Sequence, residues 1–127
     1  MPRKVLIVED DPDQVEVLTT TLELAGYAVA SAESGAEGLA RAREDAPDII
    51  VLDVAMETAG AGFKVARELR KDPATKKTPI IMLTAVNRSE LGMRFGADED
   101  WNPVDVFLDK PVKGDELAGE IRKLLGE

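Results

Sequence analysis

The apolar positions of this chain follow two alternating patterns. The runs Val5-Leu6-Ile7-Val8, Ile49-Ile50-Val51-Leu52 and Ile80-Ile81-Met82-Leu83 are short and unbroken, as are strands covered on both faces. They predict strands over Lys4–Val8, Ile49–Asp53 and residues 79–84. Ala28–Ala32 reads as a weaker second strand and residues 107–109 as a short fifth. Between strands the spacing changes to three and four. Val15, Leu18, Leu22 and Ala25 make one helical stripe, opened by the cap-and-first-turn pair Asp11-Pro12 and stopped by Gly26. Ser34-Gly35-Ala36-Glu37 matches a capping box and begins a helix running to about Asp45. Phe63, Ala66 and Leu69/Arg70 mark a helix over Ala61–Lys71, and Leu117, Ile121 and Leu124 face inward from one over residues 115–125.

The stretch before the fifth strand is less regular. A helix over residues 89–95 is short and contains Gly92, a poor interior residue. Residues 97–106 hold Asp98, Glu99, Asp100, Asn102 and Pro103 and read as a loop. No repeat, linker or low-complexity tract interrupts the pattern, so residues 1–127 are expected to form one domain. Five strands alternating with helices predict an α/β fold, a parallel sheet with helices on both faces and right-handed crossovers.

Composition narrows the chemistry. The absence of histidine excludes a histidine phosphocarrier, a Ser-His-Asp triad and a histidine-ligated zinc site. The absence of cysteine excludes disulfides and is compatible with a reducing cytoplasm. A net charge of −9, from 25 acidic and 16 basic residues, repels nucleic acid and anionic membranes. The small basic clusters Arg67/Arg70/Lys71 and Lys76/Lys77 read as solvated faces. No nucleic-acid or membrane partner is therefore expected. No apolar run approaches the ~20 residues of a membrane span, and no apolar stretch with a cleavage site follows Met1-Pro2-Arg3-Lys4. A cytoplasmic location is expected.

The polar residues that end the strands carry the chemistry, because ligands of open α/β sheets gather at the carboxyl ends of the strands. Asp53 ends the third strand, and its carboxylate can attack phosphorus to form an aspartyl phosphate; on its own it could equally cap the next turn. Glu9 and Asp10 follow the first strand. Three carboxylates around one point repel each other, and magnesium, which prefers oxygen ligands and keeps several waters, relieves them. Asp10 and Asp53 would ligate it directly, Glu9 through water, and the Ala55 backbone carbonyl could complete the protein's share. Asp11 reads as helix N-terminal acid complementing the macrodipole. Thr84 and Lys110, from two further strand ends, supply a hydroxyl and an ammonium for phosphoryl oxygens. A lone strand-end threonine is usually structural. Lys110 is held extended by Pro111, and a cis Lys110–Pro111 bond would aim the ammonium inward.

These motifs, in order on alternating elements, identify a family. Val5-Leu6-Ile7-Val8-Glu9-Asp10-Asp11, Ile49-Ile50-Val51-Leu52-Asp53, Ile80-Ile81-Met82-Leu83-Thr84-Ala85 and Phe107-Leu108-Asp109-Lys110-Pro111 resemble the receiver domain of bacterial two-component response regulators, of the single-domain, chemotaxis-regulator-like kind. The resemblance covers essentially the whole chain. It implies a flavodoxin-like doubly wound sandwich, strand order 2-1-3-4-5, with a shortened or remodelled fourth helix before the fifth strand. It further implies that Asp53 takes a phosphoryl group from a kinase phosphohistidine, that Asp10, Asp53 and the Ala55 carbonyl bind Mg2+ with Glu9 assisting, and that Thr84 and Lys110 contact the phosphate. Thr84 and Phe107 stand where the family's hydroxyl and aromatic switch residues shift together on phosphorylation. A sensor histidine kinase or phosphotransfer protein, and a downstream protein target, are the implied partners of a monomer or weak dimer. The protein is expected to be a switch with only self-directed catalysis rather than an enzyme.

Two stretches depart from the family pattern. Met56-Glu57-Thr58-Ala59-Gly60-Ala61-Gly62 lacks the usual proline and is one residue longer, which puts Glu57 near the metal. Residues 98–105 are similar to an Asp-Glu-x-Trp-x-Pro-Val-Asp stretch of a few response regulators and are expected to replace part of the fourth helix. Trp101 there either covers the core or anchors an interface. Ala55 and Val86, two residues after Asp53 and Thr84, cannot orient a water, so slow autodephosphorylation is expected. Two other readings compete. A receiver-like binding module that works without phosphorylation stays open on the remodelled loops. A haloacid-dehalogenase-type phosphatase needs a second aspartate two residues after the nucleophile, where Ala55 stands. No effector pattern follows Leu125, so output through protein contacts is expected.

Overall fold

The computed structural model describes residues 3–53, 61–84, 104–110 and 112–127. In chain order these form β1 (Lys4–Val8), α1 (Pro12–Leu24), β2 (Ala28–Ala32), α2 (Gly35–Asp45), β3 (Ile49–Asp53), α3 (Ala61–Lys71), β4 (Ile80–Thr84), β5 (Val106–Asp109) and α4 (Gly114–Leu125). All strand pairs are parallel, in the order β2-β1-β3-β4-β5. This is the doubly wound, flavodoxin-like arrangement that the alternation of apolar runs and helical stripes predicts.

Successive side chains of a strand point to opposite faces, so each unbroken apolar run feeds two cores. Leu6, Val8, Ile50, Leu52, Ile80 and Met82 face α2 and α3, where Ala42, Phe63, Val65, Ala66 and Leu69 meet them. Val5, Ile7, Ile49, Val51, Ile81 and Leu83 face α1 and α4, against Leu18, Leu22, Leu117, Ala118 and Ile121. Burial on both faces fixes the sheet, and with it the relative height of the strand ends.

Local signals act largely as read. The Asp11 side chain accepts from Asp13 N at 3.0 Å, Pro12 opens α1, and Gly26 follows its end at φ +99°. Ser34 Oγ accepts from Glu37 N at 3.2 Å, but the Glu37 carboxylate reaches Glu33 N, at 3.3 Å, rather than Ser34 N. The capping box thus closes one residue early. Three boundaries differ from the sequence pattern. Pro79 has no N–H, so β4 begins at Ile80, while the Pro79 carbonyl accepts from Ile50 N at 3.0 Å. Val106, expected in a loop, pairs with Ile81 and opens β5. α4 starts at Gly114, one residue before the expected Asp115.

The expected helix over residues 89–95, the remodelled helix expected between β4 and β5 and the unusual loop after Asp53 lie outside the described residues, as do Ala55, Val86, Trp101 and Pro111. Val104, from the end of the acidic stretch, is buried against the α2–α3 face. Among the described residues, no helix is long and apolar enough to cross a membrane.

Candidate functional site

Parallel pairing brings the strand ends to one edge. Val8 is level with Leu52, so Glu9 follows β1 beside Asp53; Thr84 is level with Asp109, so Lys110 follows β5 beside them. The backbone holds these positions: Glu9 N donates to Ala32 O at 3.0 Å, and Lys110 N donates to Thr84 O at 2.8 Å. Glu9 is 2% exposed, Asp53 4% and Thr84 0%, whereas Asp10 is exposed. Buried charges of this kind require partners. Lys110 Nζ supplies them, 3.2 Å from Glu9 Oε1 and 3.1 Å from Asp53 Oδ2. The second Glu9 oxygen accepts from Asp10 N at 3.0 Å.

One ammonium does not balance three carboxylates. Burial, followed by the hydrogen bond and negative charge of Asp53, pushes the Glu9 carboxyl up from 4.5 to about 7, against the opposing pull of Lys110. Burial also drags the Lys110 ammonium down, but the Asp53 and Glu9 carboxylates outweigh it and leave its pKa raised. Lys110 therefore stays charged at neutral pH, while the site retains an excess of anionic oxygen.

That excess suits a hard cation. One carboxylate oxygen each from Glu9, Asp10 and Asp53 lie within 4.8 Å of one another. Two of these residues are buried and Asp10 faces solvent, which suits magnesium, an ion that takes a few carboxylates and keeps waters on its open side. A cleft of about 350 Å³ opens beside Glu9 and Asp10, between Val15 and Thr19 of α1 and Ser31 of β2.

The structure therefore brings Glu9, Asp10, Asp53, Thr84 and Lys110 to one edge. Phe107 lies on β5, half-buried, with its ring centroid 5.9 Å from that of Phe63 and the planes at 41°. The Ala55 carbonyl and the Lys110–Pro111 bond fall outside the described residues. The sequence pattern missed Asp105, read as a loop acid. Its carboxylate accepts from Ile80 N at 2.8 Å and from Arg70 Nη2 at 2.9 Å, tying the starts of β4 and β5 to α3. No spacing rule announces a contact across 35 residues.

Comparison with known proteins agrees with this architecture. The family described as the response regulator receiver domain matches residues 5–122. Protein PilH of Pseudomonas aeruginosa is 34% identical over 125 residues, covering 96% of this chain and 97% of PilH. The DNA-binding dual master transcriptional regulator RpaA of Synechocystis is 37% identical over 128 residues, covering 98% of this chain and 49% of RpaA; the chain thus spans about half the length of that relative. The solved chemotaxis response regulator CheY4 of Vibrio cholerae matches with a TM-score of 0.85 at 30% identity, over 98% of this chain and 99% of CheY4. The receiver domain of sensor histidine kinase PA1611 from Pseudomonas aeruginosa, which has a magnesium ion coordinated in its active-site cleft, matches with a TM-score of 0.84 at 27% identity over 100% of both chains. Fold, strand order and family match agree: the chain belongs to the response regulator receiver domains, the phosphorylation-dependent switches of two-component signalling.

Proposed function

We propose that this domain accepts a phosphoryl group on Asp53 from a histidine kinase or phosphotransfer protein, with Mg2+, and relays the signal through protein contacts. One observation carries the reading: the buried Asp53 carboxylate lies 3.1 Å from an ammonium and within 4.8 Å of two further carboxylates. A carboxylate so fixed is a directed nucleophile for phosphorus. Asp10 and Asp53, with the Ala55 carbonyl, would hold the metal, and Glu9 would act through water. When bound, the ion neutralises charge on the transferring phosphoryl oxygens. Lys110 neutralises the same oxygens from the other side, and the Thr84 hydroxyl donates a hydrogen bond to them.

The output uses Thr84 and Phe107. Thr84 ends β4 and Phe107 lies on the neighbouring β5, where its ring packs against Phe63 of α3. A Thr84 hydroxyl drawn toward the phosphoryl group vacates space that an aromatic ring can take, which couples the site to the α3–β5 surface.

The test is incubation with acetyl phosphate and Mg2+ followed by intact mass. A gain of one phosphoryl group, lost in Asp53→Asn and on chelation, is the expected result. Absence of a gain with any donor, alongside intact partner binding, supports the phosphorylation-independent module instead.

A further inference from the structure

Lys110 reaches the acceptor site from a short connection whose far end is fixed in an unusual way. α4 begins at Gly114 behind Lys113, which makes no side-chain cap hydrogen bond. Lysine is a poor N-cap and glycine a poor helix former, so the acids Asp115 and Glu116 of the first turn are the local signals for this start. A tertiary contact fixes its position. A Cβ placed on Gly114 would lie 2.1 Å from Thr21 Cγ2 and 2.9 Å from both Thr21 Cβ and Oγ1. Thr21 cannot swing aside cheaply, because its Oγ1 donates to Val17 O at 2.9 Å. Rotation would not suffice in any case, since Thr21 Cβ is itself too close. The bare Cα of Gly114 therefore rests directly on α1.

Four residues upstream, Lys110 N is tied to Thr84 O, and between them Val112 packs on the α1–α4 core. Lys110 is thus pinned to β4, and Gly114 rests on Thr21. We propose that Gly114 is a positioning residue for the acceptor site: seated on Thr21, it fixes the start of α4 behind Val112 and so holds Lys110 Nζ between Glu9 and Asp53. This rests on the reading of Asp53 as phosphoryl acceptor. Any side chain at position 114 lifts the first turn of α4 off α1 and draws Lys110 away from the carboxylates. Placement errors of about 1 Å can cost phosphoryl transfer up to about 100-fold.

The test is a size swap across the seam, using the full chain. Rate constants for phosphoryl incorporation from acetyl phosphate, at saturating donor and Mg2+, are compared for wild type, Gly114→Ala, Thr21→Ala and the double variant. Magnesium affinity is followed by calorimetry and unfolding by circular dichroism. Gly114→Ala is expected to slow incorporation about tenfold and Thr21→Ala about threefold. The double variant, in which Cγ2 and Oγ1 are gone and only the Cβ of residue 21 stays 2.9 Å from the new methyl, recovers part of the loss, to within about fourfold of wild type. Magnesium binding is not weakened in any of them. A purely structural role would lower the melting temperature and leave the rate constant per folded molecule unchanged, and that result overturns the proposal. Failure of the double variant to recover overturns it too. If Gly114→Ala does not fold, Thr21→Ala and the double variant decide alone: equal rates in both and in wild type overturn it. Failure of wild type to incorporate phosphoryl overturns the acceptor reading itself, and is distinguished by appearing before any variant is compared.

Discussion

The two edges of the sheet use carboxylates in opposite ways. At the amino edge each acid is matched. Asp48 accepts from Lys4 N at 2.7 Å and faces Arg3 at 3.7 Å; Asp105 accepts from Ile80 N at 2.8 Å and faces Arg70 at 2.9 Å. Each has one backbone N–H, one arginine and access to solvent. At the carboxyl edge the buried carboxylates of Glu9 and Asp53 share the ammonium of Lys110, with the exposed Asp10 carboxylate beside them. The first arrangement ties elements together. The second gathers carboxylates under burial, and burial first, then the hydrogen bond and charge of Asp53, pushes the Glu9 carboxyl up to about 7. What separates a site from a structural network here is the balance of charge under burial, not the number of acids.

Breaking each edge should give different symptoms. Lys110→Ala removes the ammonium beside Asp53 and is expected to slow phosphoryl incorporation about 100-fold, read by intact mass over time. Arg70→Ala at the amino edge is expected to leave that rate unchanged. It loses hydrogen bonds to Lys76 O, Thr78 O and Asp105 and should reduce stability by about 1–2 kcal/mol in urea titration. A slowed acceptor reaction in Arg70→Ala would erase the contrast between the edges.

The Glu9 carboxyl sharpens the comparison through pH. Its folded pKa, about 7, lies above the ordinary 4.5, so folding favours its protonated form. The stability this gives the metal-free protein is complete below about pH 4.5 and is lost as pH rises through about 7. Unfolding midpoints in chelator should therefore fall across that window in wild type, and fall less in Glu9→Gln. A flat wild-type profile would contradict the charge excess. The smallest effect concerns neither edge's acids. Ala46 closes α2 at φ +46°, a left-handed conformation that an L side chain resists. Ala46→Gly should raise stability by about 0.5–1 kcal/mol without touching the acceptor rate, measured by thermal unfolding.

How legible these features are in the sequence depends on the range of the interactions that make them. Unbroken apolar runs mark β1, β3 and β4 because both faces of each are covered, and strand ends mark Glu9, Asp53, Thr84 and Lys110 because parallel pairing leaves them level. Asp11, Pro12 and Gly26 act within a few residues of themselves and are equally plain. Val106 is different: its place in β5 comes from pairing with Ile81, which nothing adjacent announces. Asp105 reads as a loop acid until Arg70 and Ile80 are beside it. Gly114 falls just outside the helix expected over residues 115–125, and its seat on Thr21 is a contact that nothing adjacent announces. Ala46 takes a position that glycine usually signals, so no residue type gives it away. Local chemistry is written locally, whereas the residues that hold the acceptor edge in place act across the fold.

The decisive measurement is the location of the phosphoryl group. Borohydride reduction of protein treated with acetyl phosphate and Mg2+ converts an aspartyl phosphate to homoserine, which peptide mass spectrometry places in the chain. Homoserine at position 53 alone is the expected result. Homoserine at Asp10, at Asp109 or nowhere, in protein that remains folded, would contradict the assignment of the carboxyl edge as a phosphoryl-acceptor site.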